Sequence, residues 1–320
     1  MKYLDVEGVG RVSRIGLGTW QFGSREWGYG DQYAEGAARD IVQRALALGV
    51  TLFDTAEVYG GGESERIIGK LLANDPQRRD SLVLATKFMP APWKLNVASA
   101  MRQALEASLG RLRVDHVDLY QIHGPISLRS HSALAEALAA VHSAGLTRAV
   151  GVSNYSVKEM RSIHAQLAKR GVPLASNQIE FSLLRRRPET SGLIAACKEL
   201  GVIPLAYSPI GQGRLTGKYS ARNPPPGRRT FSAHPMEEVD QVVAVLRRIA
   251  ESHDRTPAQT ALRWLIQKGA VPIPGAKNAD QATQNAGALG WTLEPAEMTE
   301  LDAIALEGQR TLQQRIWQHG

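Results

Sequence analysis

Short runs of β-branched and apolar residues alternate along the chain with longer segments whose apolar residues recur at helical spacing. The runs at 14–19, 51–55, 82–87, 117–123, 147–153, 175–180, 202–208 and 270–275 predict strands. Between them, sets such as Ile41/Ala45/Leu48, Leu134/Leu138/Val141 and Leu193/Cys197/Leu200 place one apolar stripe along a helix. Glycine follows several of these helices (Gly49, Gly145, Gly201), where a chain commonly leaves a helix in left-handed backbone. Thr256-Pro257-Ala258-Gln259 predicts a helix start, with a capping threonine, proline in the first turn and a glutamine reaching back to the cap.

The strand ends step by 27 to 36 residues and then once by 67. Near-regular strand–helix units with one double-length interval predict an α/β fold. Its expected form is a (β/α)8 TIM barrel with a loop and extra helix inserted before the eighth strand. The insertion would hold the Gly/Pro-rich loop 211–235 and a helix near 237–252. Residues 3–13 predict an N-terminal hairpin placed to plug the barrel floor. A doubly wound open sheet is the competing architecture. No linker or shift in composition divides the 320 residues, so one domain over 1–320 is expected.

Composition narrows the function classes. A chain with 43% hydrophobic and 22% charged residues is globular rather than disordered. No apolar run approaches the ~18–20 residues of a bilayer span, and Asp5 and Glu7 interrupt the place of a secretory leader. A cytoplasmic protein with no membrane partner is expected. The single cysteine excludes an internal disulfide, and the eight histidines lack ligand spacing, so no metal is expected. The net charge of +7 comes from scattered groups: Arg78-Arg79, Arg185-Arg186-Arg187, Arg228-Arg229 and Arg247-Arg248. With few interleaved aromatics they predict solvated surface rather than a nucleic-acid partner, and part of the charge fits a phosphorylated cofactor. No motif specifies an oligomeric state.

Two nucleotide motifs are near misses. Gly8/Gly10 and Gly16/Gly18 lack the third glycine of a dinucleotide fingerprint. Gly213 to Lys218 is one residue short of a P-loop and is followed by Tyr219.

The candidate chemistry lies at the ends of the second, third and fourth strands: Asp54, Lys87 and His123, with Tyr59 five residues after Asp54. An aspartate and a lysine at the end of an apolar strand are costly unless paired, so a purely structural ion pair stapling two strands is one reading. Four groups on one rim suit something else. A nearby ammonium is expected to lower the Tyr59 pKa and make it a better acid. Asp54 would hold Lys87 charged, and a neutral His123 would orient a carbonyl oxygen. The set suits protonation of an oxygen that gains charge as something adds to its carbon.

Phe53-Asp54-Thr55-Ala56-Glu57-Val58-Tyr59-Gly60, Thr86-Lys87 and Leu119-Tyr120-Gln121-Ile122-His123 resemble the Asp–Tyr–Lys–His tetrad of the aldo-keto reductase superfamily. Gly18-Thr19-Trp20, Gly151-Val152-Ser153-Asn154, Asn177-Gln178-Ile179-Glu180, Ala206-Tyr207-Ser208-Pro209 and Ile273-Pro274-Gly275-Ala276-Lys277 continue the resemblance in order. Leu215-Thr216-Gly217-Lys218-Tyr219 is most similar to the branch of bacterial and plastid reductases and potassium-channel β-subunits. The resemblance implies an NAD(P)H-dependent oxidoreductase that reduces small-molecule aldehydes or ketones, with Asp54, Tyr59, Lys87 and His123 catalytic. It implies NADPH, with NADH possible, lying across the barrel mouth near Thr19, Trp20 and Asp54. Ser153, Asn154 and Gln178 would hold the carboxamide, and Tyr207 would stack on the nicotinamide. Ser208, Pro209, Gly211, Gly213 and Lys218 would line the pyrophosphate, and Gly275, Lys277, Gln281 and Asn285 the 2′-phosphate.

This chain lacks the lysine and arginine that many members carry at the positions of Gly275 and Gln281, and offers Lys277 instead. It also has Gly124-Pro125-Ile126 after His123 where the family often has a bulky residue and then Pro-Asp, which predicts either a wider pocket or a neutral loop change. Trp20, Trp27, Phe88 and Trp93 are the candidate substrate-pocket residues. A cofactor-sensing regulatory subunit with little turnover is the alternative function. A Schiff-base lyase using Lys87 is a third.

Overall fold

A computed structural model of the chain describes residues 2–24, 35–73, 77–226 and 231–320. Eight parallel strands lie in the order β10-β9-β8-β7-β6-β5-β4-β3, so each strand pairs with its neighbour in sequence. They are β3 (Gly16–Gly18), β4 (Leu52–Asp54), β5 (Val83–Phe88), β6 (Val117–Ile122), β7 (Thr147–Ser153), β8 (Leu174–Glu180), β9 (Ile203–Tyr207) and β10 (Val271–Pro272). A parallel bridge between Gly18 and Gly275 brings the two edges together into a nearly closed barrel. The open-sheet alternative is thereby excluded. Contact this close needs a bare backbone: a Cβ on Gly18 would lie 2.7 Å from the Ile273 carbonyl oxygen.

The local signals did what the pattern predicts. Gly49, Gly145 and Gly201 have φ of 79°, 72° and 69° at helix ends. Thr256 caps the helix Pro257–Gln267, its hydroxyl accepting from Gln259 N while the Gln259 side chain accepts from Thr256 N. The inserted helix is Met236–Ser252, preceded by the long loop after β9.

Two apolar layers hold the barrel. The outer one fills the space between strands and helices. The inner one stacks Val12, Leu52, Val83, Ala85, Leu119, Ala149, Ala175, Leu205, Val271 and Ile273 inside the barrel. The hairpin β1 (Tyr3–Val6) and β2 (Gly10–Ser13) lays Leu4, Val6 and Val9 against this inner layer and closes the floor. Because successive strand residues face opposite ways, the inward positions above that layer are the polar ones, Asp54, Lys87, Gln121, Ser153 and Tyr207, and a register shift in the β7–β8 pairing brings Gln178 in with them. The apolar floor thus carries a polar mouth on the same strands. No described helix is long and apolar enough to cross a membrane.

Arg185 departs from the expected solvated surface. It is wholly buried, because its loop folds inward under the last residues of the chain.

A Gly18→Ala substitution should cost about 1–3 kcal/mol of stability through overpacking at the seam. Urea unfolding followed by circular dichroism would measure it, and an unchanged midpoint would contradict the close seam.

Candidate active site

Lys87 reaches the centre of the mouth from β5 with no exposed surface. Its ammonium donates to Asp54 Oδ2 at 2.6 Å, to the Thr55 carbonyl at 2.8 Å and to the Tyr59 hydroxyl at 3.2 Å. The other carboxylate oxygen of Asp54 accepts from the side-chain amides of Gln178 at 2.8 Å and Gln121 at 3.4 Å. The His123 ring meets Tyr59 edge-on at 5.7 Å between centroids, and its Nδ1 is buried without a hydrogen-bond partner. Tyr59 stands on a short turn, Tyr59–Gly62, just before the helix Glu63–Ala73. That helix is seated by a buried hydroxyl cluster, Ser64 with Thr19 and Thr55 at 2.8 and 2.9 Å. The three strand-end groups and Tyr59, from the loop after one of those strands, therefore meet at one point.

Their protonation differs in part from expectation. Burial, and then the Asp54 carboxylate, push the Tyr59 phenol well above its ordinary value. Lys87 does not lower it, because Asp54 at 2.6 Å leaves the phenol facing an ion pair with little net charge. Burial also draws the Lys87 pKa down, opposed chiefly by Asp54. Burial, helped by Lys87, holds His123 well below the usual imidazole range, so its ring is neutral at pH 7.

Around this centre, the Ser153 hydroxyl and Asn154 N–H both donate to the Gln178 carbonyl, at 2.9 and 2.7 Å. The Tyr207 hydroxyl donates to Asn154 Oδ1 at 2.9 Å. After Tyr207, left-handed backbone at Ser208, Gly211, Gln212, Gly213 and Gly217 turns the loop back on itself beside Pro209, with Lys218 exposed at its end. Repeated left-handed turns of this kind create concavities suited to an anion. Gly275 and Lys277 precede the helix Ala279–Ala286, which carries Gln281 in its first turn and Asn285 in its last: Gln281 Oε1 accepts from Lys277 N, and Asn285 donates to the Gly275 carbonyl. An aromatic wall, an amide cluster and two anion-compatible backbone sites along one rim fit an extended dinucleotide.

The substrate-pocket candidates divide. Trp20 lies at the mouth, its ring edge-on to Phe231 at 5.9 Å. Phe88, next to inward-facing Lys87, points the other way into the outer core and does not line the mouth. Trp93 is 80% exposed on a surface loop. Trp27 lies outside the described residues.

Three contributors were not anticipated. Phe231 packs against Tyr207 at 5.6 Å from the inserted loop, held there by Arg214, which donates to the carbonyls of Phe231 and Ser232. Trp317, from the tail, meets the His123 ring at 5.4 Å. Gln318 donates to the Tyr207 hydroxyl at 2.8 Å and to Glu180 Oε2 at 2.6 Å. Of the two readings of Gly124, the wider pocket is not what the structure has, since a Cβ there would lie 3.1 Å from the Trp317 ring. The missing bulk after His123 is supplied by the tail, and the Gly124-Pro125 departure was its one sequence signal.

The polar groups of Asp54, Tyr59, Lys87 and Gln178 converge at the carboxyl ends of the strands of a (β/α)8 barrel. Residues 14–306 match the aldo/keto reductase family model, and the chain belongs to that family. An uncharacterized oxidoreductase of Mycobacterium tuberculosis is 48% identical over 295 residues, covering 90% of this chain and 88% of that protein. The chloroplastic pyridoxal reductase of Arabidopsis thaliana is 38% identical over 321 residues, covering 96% of this chain and 87% of that protein. Among solved structures, the glycerol dehydrogenase of Gluconobacter oxydans superposes with a TM-score of 0.83 at 28% identity, covering 97% of this chain and 98% of that chain. An aldo/keto reductase of Klebsiella pneumoniae, in complex with NADP and acetate, gives 0.75 at 27% identity, covering 97% of each chain.

Replacing Asp54 with Leu should destabilise the protein by about 3–5 kcal/mol, because it leaves the Lys87 ammonium buried without its counter-charge. Chemical denaturation would measure the loss, and a cost under about 1 kcal/mol would contradict the ion pair's burial. A second expectation concerns pH. His123 binds a proton more readily unfolded than folded, so stability falls as pH drops below about 6.5. Denaturation midpoints between pH 5 and 7 should show a shallower slope in His123→Asn than in the parent.

Proposed function

We propose that this protein is a nicotinamide-dependent oxidoreductase that reduces aldehydes or ketones to alcohols, with Tyr59 as the proton donor. The observation that carries the reading is the Tyr59 hydroxyl, 3.2 Å from the buried Lys87 ammonium and beside the unpartnered His123 ring. When bound, the cofactor supplies a hydride to the carbonyl carbon. The oxygen then gains charge and takes the Tyr59 proton. Burial keeps that phenol protonated until an acceptor arrives, so it donates to a developing alkoxide and not to water. Lys87 donates to the Tyr59 oxygen and so fixes its position, and neutral His123 supplies a ring nitrogen to orient the carbonyl oxygen. Asp54, fixed by Gln178 and Gln121, holds Lys87 in place.

Ser153, Asn154, Gln178 and Tyr207 would hold the nicotinamide end. The loop from Ser208 to Lys218 would hold the pyrophosphate, and Lys277 with Gln281 and Asn285 the adenosine end. NADPH is the favoured form because Lys277 sits at the helix start, where a phosphate gains from both charge and backbone dipole. NADP in the Klebsiella structure supports this choice. Pyridoxal, the substrate class in the name of the Arabidopsis relative, is a natural first carbonyl to try.

Tyr59→Phe should lower kcat for carbonyl reduction by roughly 10²–10⁴-fold while leaving NADPH affinity within a few-fold. Steady-state assays with pyridoxal, 4-nitrobenzaldehyde and methylglyoxal, using NADPH and NADH side by side, would check it. Retained turnover would overturn the assignment of the acid. Tight NADPH binding with no turnover of any carbonyl by the parent would favour a cofactor-sensing role. Trp317→Ala should raise KM for the aromatic aldehydes more than for methylglyoxal, since it removes an apolar wall beside His123.

A further inference from the structure

Outside the barrel mouth, three guanidinium groups border one surface cavity. It has a volume of about 520 Å³ and is lined by Arg187, Gly308, Gln309, Arg310 and Arg315. The groups come from two places. Arg187 starts the short helix after β8, whereas Arg310 precedes the tail helix Leu312–Trp317 and Arg315 lies in its last turn. Negative charge here is scarce. Glu307 is 3.4 Å from Arg187, with both side chains about half exposed. Arg310 spends one nitrogen on the Gln318 carbonyl. Arg315 is exposed and makes no side-chain hydrogen bond or ion pair among the described residues.

A fourth guanidinium lies behind them. Arg185 packs its stem against Gly308, where a Cβ would come within 2.7 Å. It is fully buried, its Nη1 has no hydrogen-bond partner, and its Nε has none closer than Glu180 at 3.7 Å. Burial and the neighbouring charges of Arg185, Arg187 and Arg315 draw the Arg310 pKa down. Like charges gathered on one cavity raise its potential, and an oxyanion with several acceptor oxygens is the ligand that lowers it.

We propose that Arg187, Arg310 and Arg315 form a binding site for a small multivalent oxyanion of the phosphate class, which ties the C-terminal tail to the barrel. Three guanidiniums against one carboxylate leave about two positive charges, which match a dianion. None of the three residues lies among those that would hold the dinucleotide, so this anion is not the cofactor's phosphate. Bridging Arg187 to the tail would steady the segment that carries Trp317 to His123 and Gln318 to Tyr207.

The test is calorimetric titration of the protein with pyrophosphate, with inorganic phosphate and sulfate as comparison arms. Saturable binding is expected, weakened at least tenfold in Arg315→Glu and in Arg187→Ala, and a Lys218→Ala/Lys277→Ala double variant should retain that binding phase even where it loses a separate one at the barrel mouth. Arg315 is exposed, so its variant should keep the parent's unfolding temperature without ligand. Equal affinity in Arg315→Glu, loss only in the Lys218/Lys277 variant, or no saturable binding would each overturn the site. Hydrogen exchange across 308–320 supplies a second measure, with slowing by pyrophosphate in the parent and not in Arg315→Glu. Binding without that protection would overturn the tie to the tail.

Discussion

An ammonium group without contact to water must be surrounded by acceptors, and the Lys87 side chain imposes that demand on the whole barrel mouth. Asp54 sits opposite Ala85 in the β4–β5 register, which puts Lys87 one inward step higher and its nitrogen 2.6 Å from the carboxylate. A one-residue slip of either strand would turn one charge toward the outer core, where nothing could pair with it. The same carboxylate has a second oxygen to satisfy, and Gln178 from β8 does so across the barrel. One buried ion pair therefore fixes the register of neighbouring strands, ties opposite walls together and leaves Tyr59 as the group where the buried network opens outward. The geometry that solves a solvation problem also presents a proton.

Much of this was legible in the chain because the informative signals are local. Alternation along each strand separates the apolar floor from the polar mouth, and near-even strand spacing specifies closure. Asp54, Lys87 and His123 are strand-end residues, so placing the strands placed them. What was illegible depends on contacts between distant parts of the sequence. The Tyr59 pKa turns on how completely other segments exclude water, and not on Lys87 alone. Phe88 and Trp93 both sit near the third strand end, but inward or outward direction, and then loop path, decide against them. Trp317 and Gln318 belong to a tail with no periodicity that points at His123. The glycine after that histidine is intelligible as space for a ring only once the tail is in view.

The arginines show the same division between local and distant information. As a composition, +7 invites a search for an anionic partner. In the structure, many guanidiniums are occupied with the chain itself. Arg214 donates to Gly211, Phe231 and Ser232 carbonyls, Arg186 to Asp302, Arg247 to Gly217, Arg79 to Leu82 and His116, and Arg185 to Gly320. Most of these acceptors lie in loops, caps or the tail, where a carbonyl has no ladder partner and water is partly excluded. A rigid five-donor fork can satisfy two or three such carbonyls at once, which a lysine cannot do with comparable geometry. Much of the basic excess thus serves to hold irregular segments onto a regular barrel. The face shared by Arg187, Arg310 and Arg315 differs, because three guanidiniums there border one cavity. Their charge serves no carbonyl beyond Gln318 and meets one exposed carboxylate, so the surplus has to be balanced by solution ions or by a bound anion.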